Sequence, residues 1–482
     1  MKKIKEIISQ NWLMLVIILQ PILDIVSYFQ TKIGSASYTW IIRIGILAIL
    51  SITIFFKSKN KKKVLLSLSP IICYFIVHFI NLYRINSLNL IMDLKYFIFV
   101  FQTPIIAILL IDYFKNNSNQ ITKTKKSIII SSFIIIISII IAFVTGTYEP
   151  TYITGTQMIG VIGWFSSANT NSMILCAIMP WFLYYFLIKK NPYLYGIMSG
   201  ISFIILYSNG TKSCYITLIV SLAVMIYISI VDKKIENKKM KSVMTIFLLI
   251  LSLSIYNTSF AKARKQVVDN VNNSYNKEVE DINKDNEKID KPDNQKNQEI
   301  HIDFSDKKLL IEVLNTSYIY KDLITMHGED KVIEGLRGKL TPSNLSDNRL
   351  VKVINARIAY DESNTITKIL GFGYSKVGNV SYDMENDLQA IFYYYGYLGF
   401  AIYILYILYF LIKMFICFLK KTKGIFDGEF VILGILLVLL IAGGEYSGAY
   451  LRKSNANIYL SFYLAYIYFK CEKIKLENNK KK

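Results

Sequence analysis

The sequence predicts an all-α polytopic membrane protein, with about 12 transmembrane helices and a large, mainly helical extracytoplasmic loop between helices 9 and 10. Three observations predict it. Of 482 residues, 53% are hydrophobic and only 18% charged, whereas a soluble chain carries about 25% charged residues. Apolar runs of spanning length recur along most of the chain, and lipid offers no partner to an unpaired backbone group, so each run is expected to be a helix. The Lys and Arg residues cluster in alternate connecting segments, as the positive-inside rule requires of a multi-pass protein.

The runs fall at about 11 to 30, 39 to 56, 64 to 82, 93 to 114, 127 to 145, 168 to 188, 192 to 208, 212 to 231, 242 to 259, 388 to 412, 429 to 446 and 453 to 470. The first follows Met1-Lys2-Lys3 without a small-residue cleavage site and reads as a retained span. Between the seventh and eighth, Ser208-Asn209-Gly210-Thr211 must make a short turn. With a cytoplasmic N-terminus, the inner segments hold 28 Lys/Arg and the short outer loops five. That polarity puts both termini in the cytoplasm and the stretch from 260 to 386 outside.

The chain therefore divides into residues 1–259 (helices 1–9), a charged segment 260–308, a cap 309–386, and residues 387–482 (helices 10–12 and a cytoplasmic tail). The charged segment is poor in apolar residues and is expected to be disordered or loosely helical. Leu309, Leu310, Val313 and Leu314 have helical spacing and open the cap. The net charge of +21 does not indicate nucleic acid, because the segment 260–386 holds 19 Lys/Arg against 21 Asp/Glu and the excess lies in the membrane part. The five cysteines are widely spaced, without a C-x-x-C pair, and read as packing residues.

Ionisable residues inside spans are costly and mark functional candidates. Asp24, Arg43, His78, Asp93, Lys95, Lys212, Glu445 and Arg452 all fall in the outer half of a span or at its outer edge, which predicts an outward-facing polar site. An alternating-access transporter would place its binding residues nearer the midplane. Arg43, Lys95, Lys212 and Arg349, if they converge, make a cationic pocket at the lipid boundary suited to a phosphate or pyrophosphate. The competing reading pairs each with a nearby carboxylate, Lys95 with Asp93 for example.

Gly371-Phe372-Gly373 has Lys376 where a nucleotide fingerprint needs its third glycine, and reads as a turn. Asp383-Met384-Glu385 has the spacing of a metal motif in the wrong context, so no metal site is expected. Phe392-Tyr393-Tyr394-Tyr395 reads as an interfacial aromatic belt, with stacking on sugar rings the alternative. His301 and His327 read as solvated loop residues. Glu445-Tyr446-Ser447 before Arg452 either closes the site or makes an ordinary ion pair.

Three stretches resemble the O-antigen ligase and polymerase family of bacterial membrane glycosyltransferases. They are GVIGWFSSANTNSMILCAIMPWF (160 to 182), SNGTKSCYITL (208 to 218), and the region 346 to 400 with SDNRLVKVINARIAY, ILGFGYSKVGNV and MENDLQAIFYYYGYLGF. The resemblance implies a GT-C-like fold and puts Lys212 and Arg349 on the pyrophosphate of a lipid-linked donor, with Arg264 a further candidate. Ligases of the family commonly have His where this chain has Glu385. A carboxylate can still take a proton from an attacking hydroxyl, the better if burial raises its pKa toward neutrality; Asp387 is the alternative base.

The resemblance further implies transfer of a glycan from a polyprenyl-pyrophosphate (undecaprenyl-type) carrier to a hydroxyl of another lipid-linked unit, with Arg349, Glu385 and Asp387 as catalytic candidates. No cofactor, metal or nucleotide sugar is implied. The expected partners are the lipid-linked donor and acceptor and the membrane lipid, with a flippase and a chain-length regulator as protein partners. A transporter or flippase of lipid-linked oligosaccharide is the competing class, and a non-catalytic assembly or sensor protein a third.

Overall fold

The computed structural model describes residues 2–35, 38–154, 157–253, 262, 265, 311, 314–315, 318–336, 348–377, 383–420, 427–446, 448 and 450–479. The helices α1 (Lys2–Lys32), α2 (Thr39–Lys57), α3 (Lys61–Arg84), α4 (Leu90–Asn116) and α5 (Asn119–Val144) open the chain. A two-stranded antiparallel hairpin, β1 (Tyr152–Thr154) and β2 (Gln157–Ile159), follows. Then come α6 (Ala168–Leu187), α7 (Pro192–Asn209), α8 (Lys212–Val231) and α9 (Lys238–Ser252). The cap region holds α10 (Tyr318–His327), α11 (Glu329–Leu336), α12 (Asn348–Asp361) and α13 (Thr365–Leu370), and α14 (Asp387–Lys420), α15 (Gly428–Tyr446) and α16 (Ser454–Asn479) close the chain.

Among the described residues, nine helices are long and apolar enough to cross a membrane: α1 to α6, α8, α14 and α15. The other three expected spans coincide with α7, α9 and α16, which fall outside that set. The reason for α16 is what it faces. Asn455, Asn457 and Ser461 are buried against protein; Asn457 Nδ2 donates to Phe99 O at 2.8 Å and Gln102 Nε2 to Ser454 O at 3.0 Å, tying α16 to α4. A helix that meets protein on most sides need not be apolar throughout. On α9, the buried Lys241 donates to Leu187 O at 2.8 Å, filling a carbonyl at the C-terminal end of α6.

Helix α6 is the central helix, with 94% of the residues in its apolar stretch buried, against only 22% for α2. Ile49, Phe56, Leu66 and Ile80 on α2 and α3 are exposed, as expected of a lipid-facing surface. The first and second resemblance stretches pack together: Val161 N donates to Ser208 O at 2.9 Å, and Ser213 Oγ to Ser172 Oγ at 3.1 Å.

Helix α14 is broken at Gly396, whose φ of 61° lies outside the helical region. Gly371, with φ 85°, lies against this break, and a Cβ on Gly396 would come within 2.6 Å of Ile369 O. The freed backbone groups are taken by one face of α3. Tyr74 donates to Tyr395 O at 2.7 Å, His78 Nδ1 lies 2.7 Å from Leu370 O, and Asn81 Nδ2 donates to Gly371 O at 3.0 Å. The turn expected at Gly371-Phe372-Gly373 is thus present, and His78 is one of the groups that hold it.

The cap helices have a core of their own, with Tyr320, Leu323, Val332, Leu336, Val351, Ile354 and Ile358 all buried. His327 is half-buried rather than fully solvated, its Nε2 lying 2.7 Å from Asn355 Oδ1. The segment 266–310, including His301 and nearly all of the charged stretch, lies outside the described residues. The described cysteines form no disulfide, and all but Cys73 are buried.

Candidate active site

Two helix starts define the site. Ser167 caps α6, accepting from Thr170 N at 3.4 Å, and Thr211 caps α8, accepting from Cys214 N at 3.3 Å. The first α8 residue is Lys212, preceded by Gly210 with φ 74° in the expected turn. A lysine at a helix N-terminus opposes the helix dipole, so its charge adds to the positive potential there instead of being offset by it.

Lys212 and Arg349 line one cavity of about 500 Å³ between α6, α8, α12 and α15. Its polar end is made by these two cations with Asn169, Thr211, Ser213 and Tyr152. Its walls are apolar: Ile216 and Val220 from α8, and Ile435, Val438 and Leu439 from α15. Cations and backbone N–H groups at helix starts favour an anion, and the walls below favour a hydrocarbon chain.

Glu385 lies beside this cavity. Arg349 Nε donates to its Oε2 at 2.6 Å and Lys352 Nζ to its Oε1 at 3.1 Å. Burial pushes the Glu385 carboxyl up, but Arg349 and Lys352 outweigh it and hold the group below the usual glutamate value. The expectation that burial would raise it toward neutrality is therefore reversed, because two cations oppose one desolvation.

Asp387 has a different environment. It is fully buried; Oδ2 accepts from Tyr450 N at 2.7 Å and Leu451 N at 2.6 Å, and Oδ1 from Arg452 Nε at 2.9 Å. Arg452, 1% exposed, also pairs with Asp383 at 2.7 Å and donates to Met384 O. For Asp383, too, burial pushes upward, and Arg452 and Lys453 hold the carboxyl below its ordinary value. The Asp383–Arg452–Asp387 network, buried at Arg452 and Asp387, fixes the chain on either side of Glu385. Sequence reading missed its depth, since it placed Arg452 in an outer loop with Glu445; Glu445 Oε1 instead lies 3.5 Å from Gln389 Nε2.

Four cations were expected to converge, and two do. Arg43 pairs with Asp24 at 2.7 Å in a separate pocket, because Asp24 lies across from it on α1. Lys95 lies over the rings of Trp40 (5.1 Å) and Tyr96 (5.4 Å), and the expected alternative, pairing with Asp93, does not hold either. Asp93 instead accepts from Asn89 N at 2.9 Å and Ser375 N at 3.0 Å. Arg264 lies outside the described residues. Of the aromatic run, Tyr394 and Tyr395 are buried and belong to neither a belt nor a sugar platform: Tyr394 accepts from Met384 N at 3.1 Å, and Tyr395 packs on His78. Phe392 and Tyr393 meet Tyr360 of the cap, each at 5.6 Å.

Apolar helices in this number, packed around a buried central helix, define a multi-pass α-helical membrane protein, and the Lys212–Arg349 cavity suits an amphipathic anion. The sequence matches the family of O-antigen ligase like membrane proteins over residues 6–474, nearly its whole length, and the chain belongs to that family. No curated protein gives a significant match.

Proposed function

We propose that this protein is a membrane glycosyltransferase that polymerises, or ligates, lipid-linked oligosaccharide units on the outer face of the cell membrane, for a surface polysaccharide, capsule or cell-wall glycan. The observation that carries the proposal is the cavity with Lys212 and Arg349 at one end and apolar walls below. A polyprenyl-pyrophosphate-linked glycan has the same division, with an anionic centre, a hydrocarbon tail and a glycan directed away from the lipid. Family membership supports the ligase or polymerase chemistry.

In the proposed step an acceptor hydroxyl oxygen attacks the anomeric carbon of the donor. The bond from that carbon to the pyrophosphate oxygen breaks, and the pyrophosphate leaves with the electron pair, its growing charge met by Arg349 and Lys212. Glu385 takes the hydroxyl proton. Of the two candidate bases Glu385 suits the role, because Asp387 already spends both oxygens on the Tyr450–Arg452 segment. The Arg349–Glu385 contact also makes the base depend on substrate. Pyrophosphate drawing on Arg349 relaxes the field that holds the Glu385 carboxyl low, making it a stronger base when the donor is bound.

An outward site requires the cytoplasmic membrane with both termini inside, which the 28-to-five Lys/Arg asymmetry supports. The test is glycan length in cells carrying Arg349→Ala or Glu385→Gln, with protein level checked. Loss of long chains, with single lipid-linked repeats accessible from outside, is expected. Long chains at normal protein levels in both variants would remove the catalytic assignment, and repeats trapped on the inner leaflet would replace it with a flippase.

A further inference from the structure

A cavity of about 540 Å³ between α3, α4, α14 and α16 has no part in the proposed transfer. It lies away from the cap. Helix α3 meets the Gly371 turn through Asn81 near its end, α4 meets Ser375 through Asp93 near its start, and α14 carries Asp387 in its first turn. The cavity is lined by the opposite end of each: Lys63 and Ser67 on α3, Asp112 and Lys115 on α4, Tyr409 and Phe410 on α14. On the positive-inside reading this end is cytoplasmic.

The two ends of the cavity differ in chemistry. Lys63 and Lys115 are exposed at its mouth, and among the described residues neither forms an ion pair with a carboxylate. Other lysines on the same side do: Lys125 and Lys470 meet Glu429 at 2.7 and 2.8 Å, and Lys413 meets Glu472 at 2.6 Å. The Lys115 ammonium lies 5.1 Å from the ring centre of Tyr468, itself a lining residue, which places that charge at the cavity. Asp112, the acidic residue of the lining, accepts instead from Ser58 Oγ at 2.6 Å and Asn116 Nδ2 at 3.4 Å. Both lysine charges are therefore left for an occupant.

About 10 Å further along α3 from Lys63, at 1.5 Å per residue, lies Pro70. It has no N–H to give Leu66 O, which accepts from Ser69 Oγ at 2.8 Å, and Ser67 O accepts from Tyr406. With these carbonyls satisfied and Ile108, Ile111, Ile402 and Leu405 as walls, this end suits hydrocarbon. Leu405 and Tyr409 are 65% and 50% exposed, which opens the cavity sideways toward lipid.

We infer that this cavity binds an anionic phospholipid of the inner leaflet, its phosphate between Lys63 and Lys115 and an acyl chain along Ile108, Ile111, Ile402 and Leu405. Basic pockets between helices at the cytoplasmic level are where acidic headgroups bind. A choline headgroup would bring a further cation to the two lysines, and a free anion would leave the apolar walls wet. The inference is independent of the transferase reading, and the orientation serves only to name the leaflet.

The test uses the full chain in a non-ionic detergent, with phosphatidylglycerol and phosphatidylcholine of the same acyl chains added in equal amounts. Native mass spectrometry counts the lipid retained, and melting temperatures are recorded. Wild type is expected to hold one phosphatidylglycerol in preference to phosphatidylcholine, and Lys63→Gln combined with Lys115→Gln to reduce that preference about tenfold or more. Lys233→Gln combined with Lys234→Gln removes two exposed charges between α8 and α9 and should leave it unchanged. Leu405→Trp, which narrows the apolar end, should weaken retention of phosphatidylglycerol with both lysines in place.

Equal retention of the two lipids by wild type, or an unchanged preference in the Lys63–Lys115 variant, overturns the inference. An equal fall in the Lys233–Lys234 variant reduces the effect to diffuse surface charge and overturns it as well. Full retention by Leu405→Trp takes the acyl chain out of the cavity, and displacement of the lipid by excess glycerol phosphate makes it a free-anion site; either result overturns the proposal. The four lysines and Leu405 are all exposed, so the variants are expected to melt with wild type.

Discussion

Two acidic residues separated by one position, Glu385 and Asp387, have different surroundings, and the expected effects of changing them differ accordingly. Removing Arg452 strands the Asp387 carboxylate in the protein interior, and breaking a buried pair of this kind costs about 3–5 kcal/mol. Arg452→Met is therefore expected to lower the melting temperature sharply, and Arg452→Met combined with Asp387→Asn to recover part of the loss; equal melting of wild type and Arg452→Met would mean the network is not structural. Glu385 is expected to respond to pH instead. Its folded pKa is depressed by Arg349 and Lys352 against the pull of burial, so the stability it contributes is present above the ordinary glutamate value and lost as pH falls through the lower folded one. Lys352→Met takes away one of the two cations and raises that pKa, so the acid limb of the transfer rate should move to higher pH. An unmoved limb would detach Glu385 from the rate. Lys212, Arg349 and Glu385 were legible in the sequence through residue type at motif positions. Lys352 was not, because nothing in its spacing shows that it turns toward Glu385 on the same helix face as Arg349.

At the scale of elements, the helix positions were legible because hydrophobic runs report lipid and core alike, and the turn at Gly371 was legible because two glycines flank one residue. The break in α14 was not. Gly396 lies in a run that is otherwise apolar and aromatic, and its positive φ is required by a contact with a segment 25 residues earlier in sequence, at Gly371. The hairpin at 152–159 was missed as well, since its two three-residue strands are too short to alternate visibly. Gly371 and Gly34 offer a controlled comparison. Both have positive φ (85° and 74°), but a Cβ on Gly34 meets nothing within 4 Å, whereas one on Gly371 runs into the Tyr394–Tyr395 backbone. Gly34→Ala should lose only the backbone preference, about 1–2 kcal/mol. Gly371→Ala should lose that and also push α13 from α14, taking the chain that leads to Asp383 and Glu385 with it. Equal melting temperatures for the two variants would show that the approach of the two backbones does not matter.

At the scale of the whole molecule, the cations that converge and those that do not are separated by helices, which no spacing in the sequence could have revealed. Arg43 and Lys212 lie on opposite sides of α6, and only the packing of α1, α2 and α16 around that helix decides which pocket each one lines. The same packing places the cap over one end of the helices, with Tyr360 of α12 against Phe392 and Tyr393 at the start of α14. Arg349 and Glu385 are therefore on the cap's side of the membrane, whichever side that is. The proposed chemistry needs the side where lipid-linked repeats are displayed, and the charge asymmetry favours the outside. Cysteine labelling decides it. In a chain with the exposed Cys73 replaced, Lys331→Cys on the exposed face of α11 should react with a membrane-impermeant maleimide on intact cells, and Lys234→Cys, between α8 and α9, only after permeabilisation. The reverse pattern would turn the molecule over, put the Lys212–Arg349 cavity in reach of inner-leaflet carriers, and favour a protein that receives lipid-linked units before they cross the membrane over one that joins them afterwards.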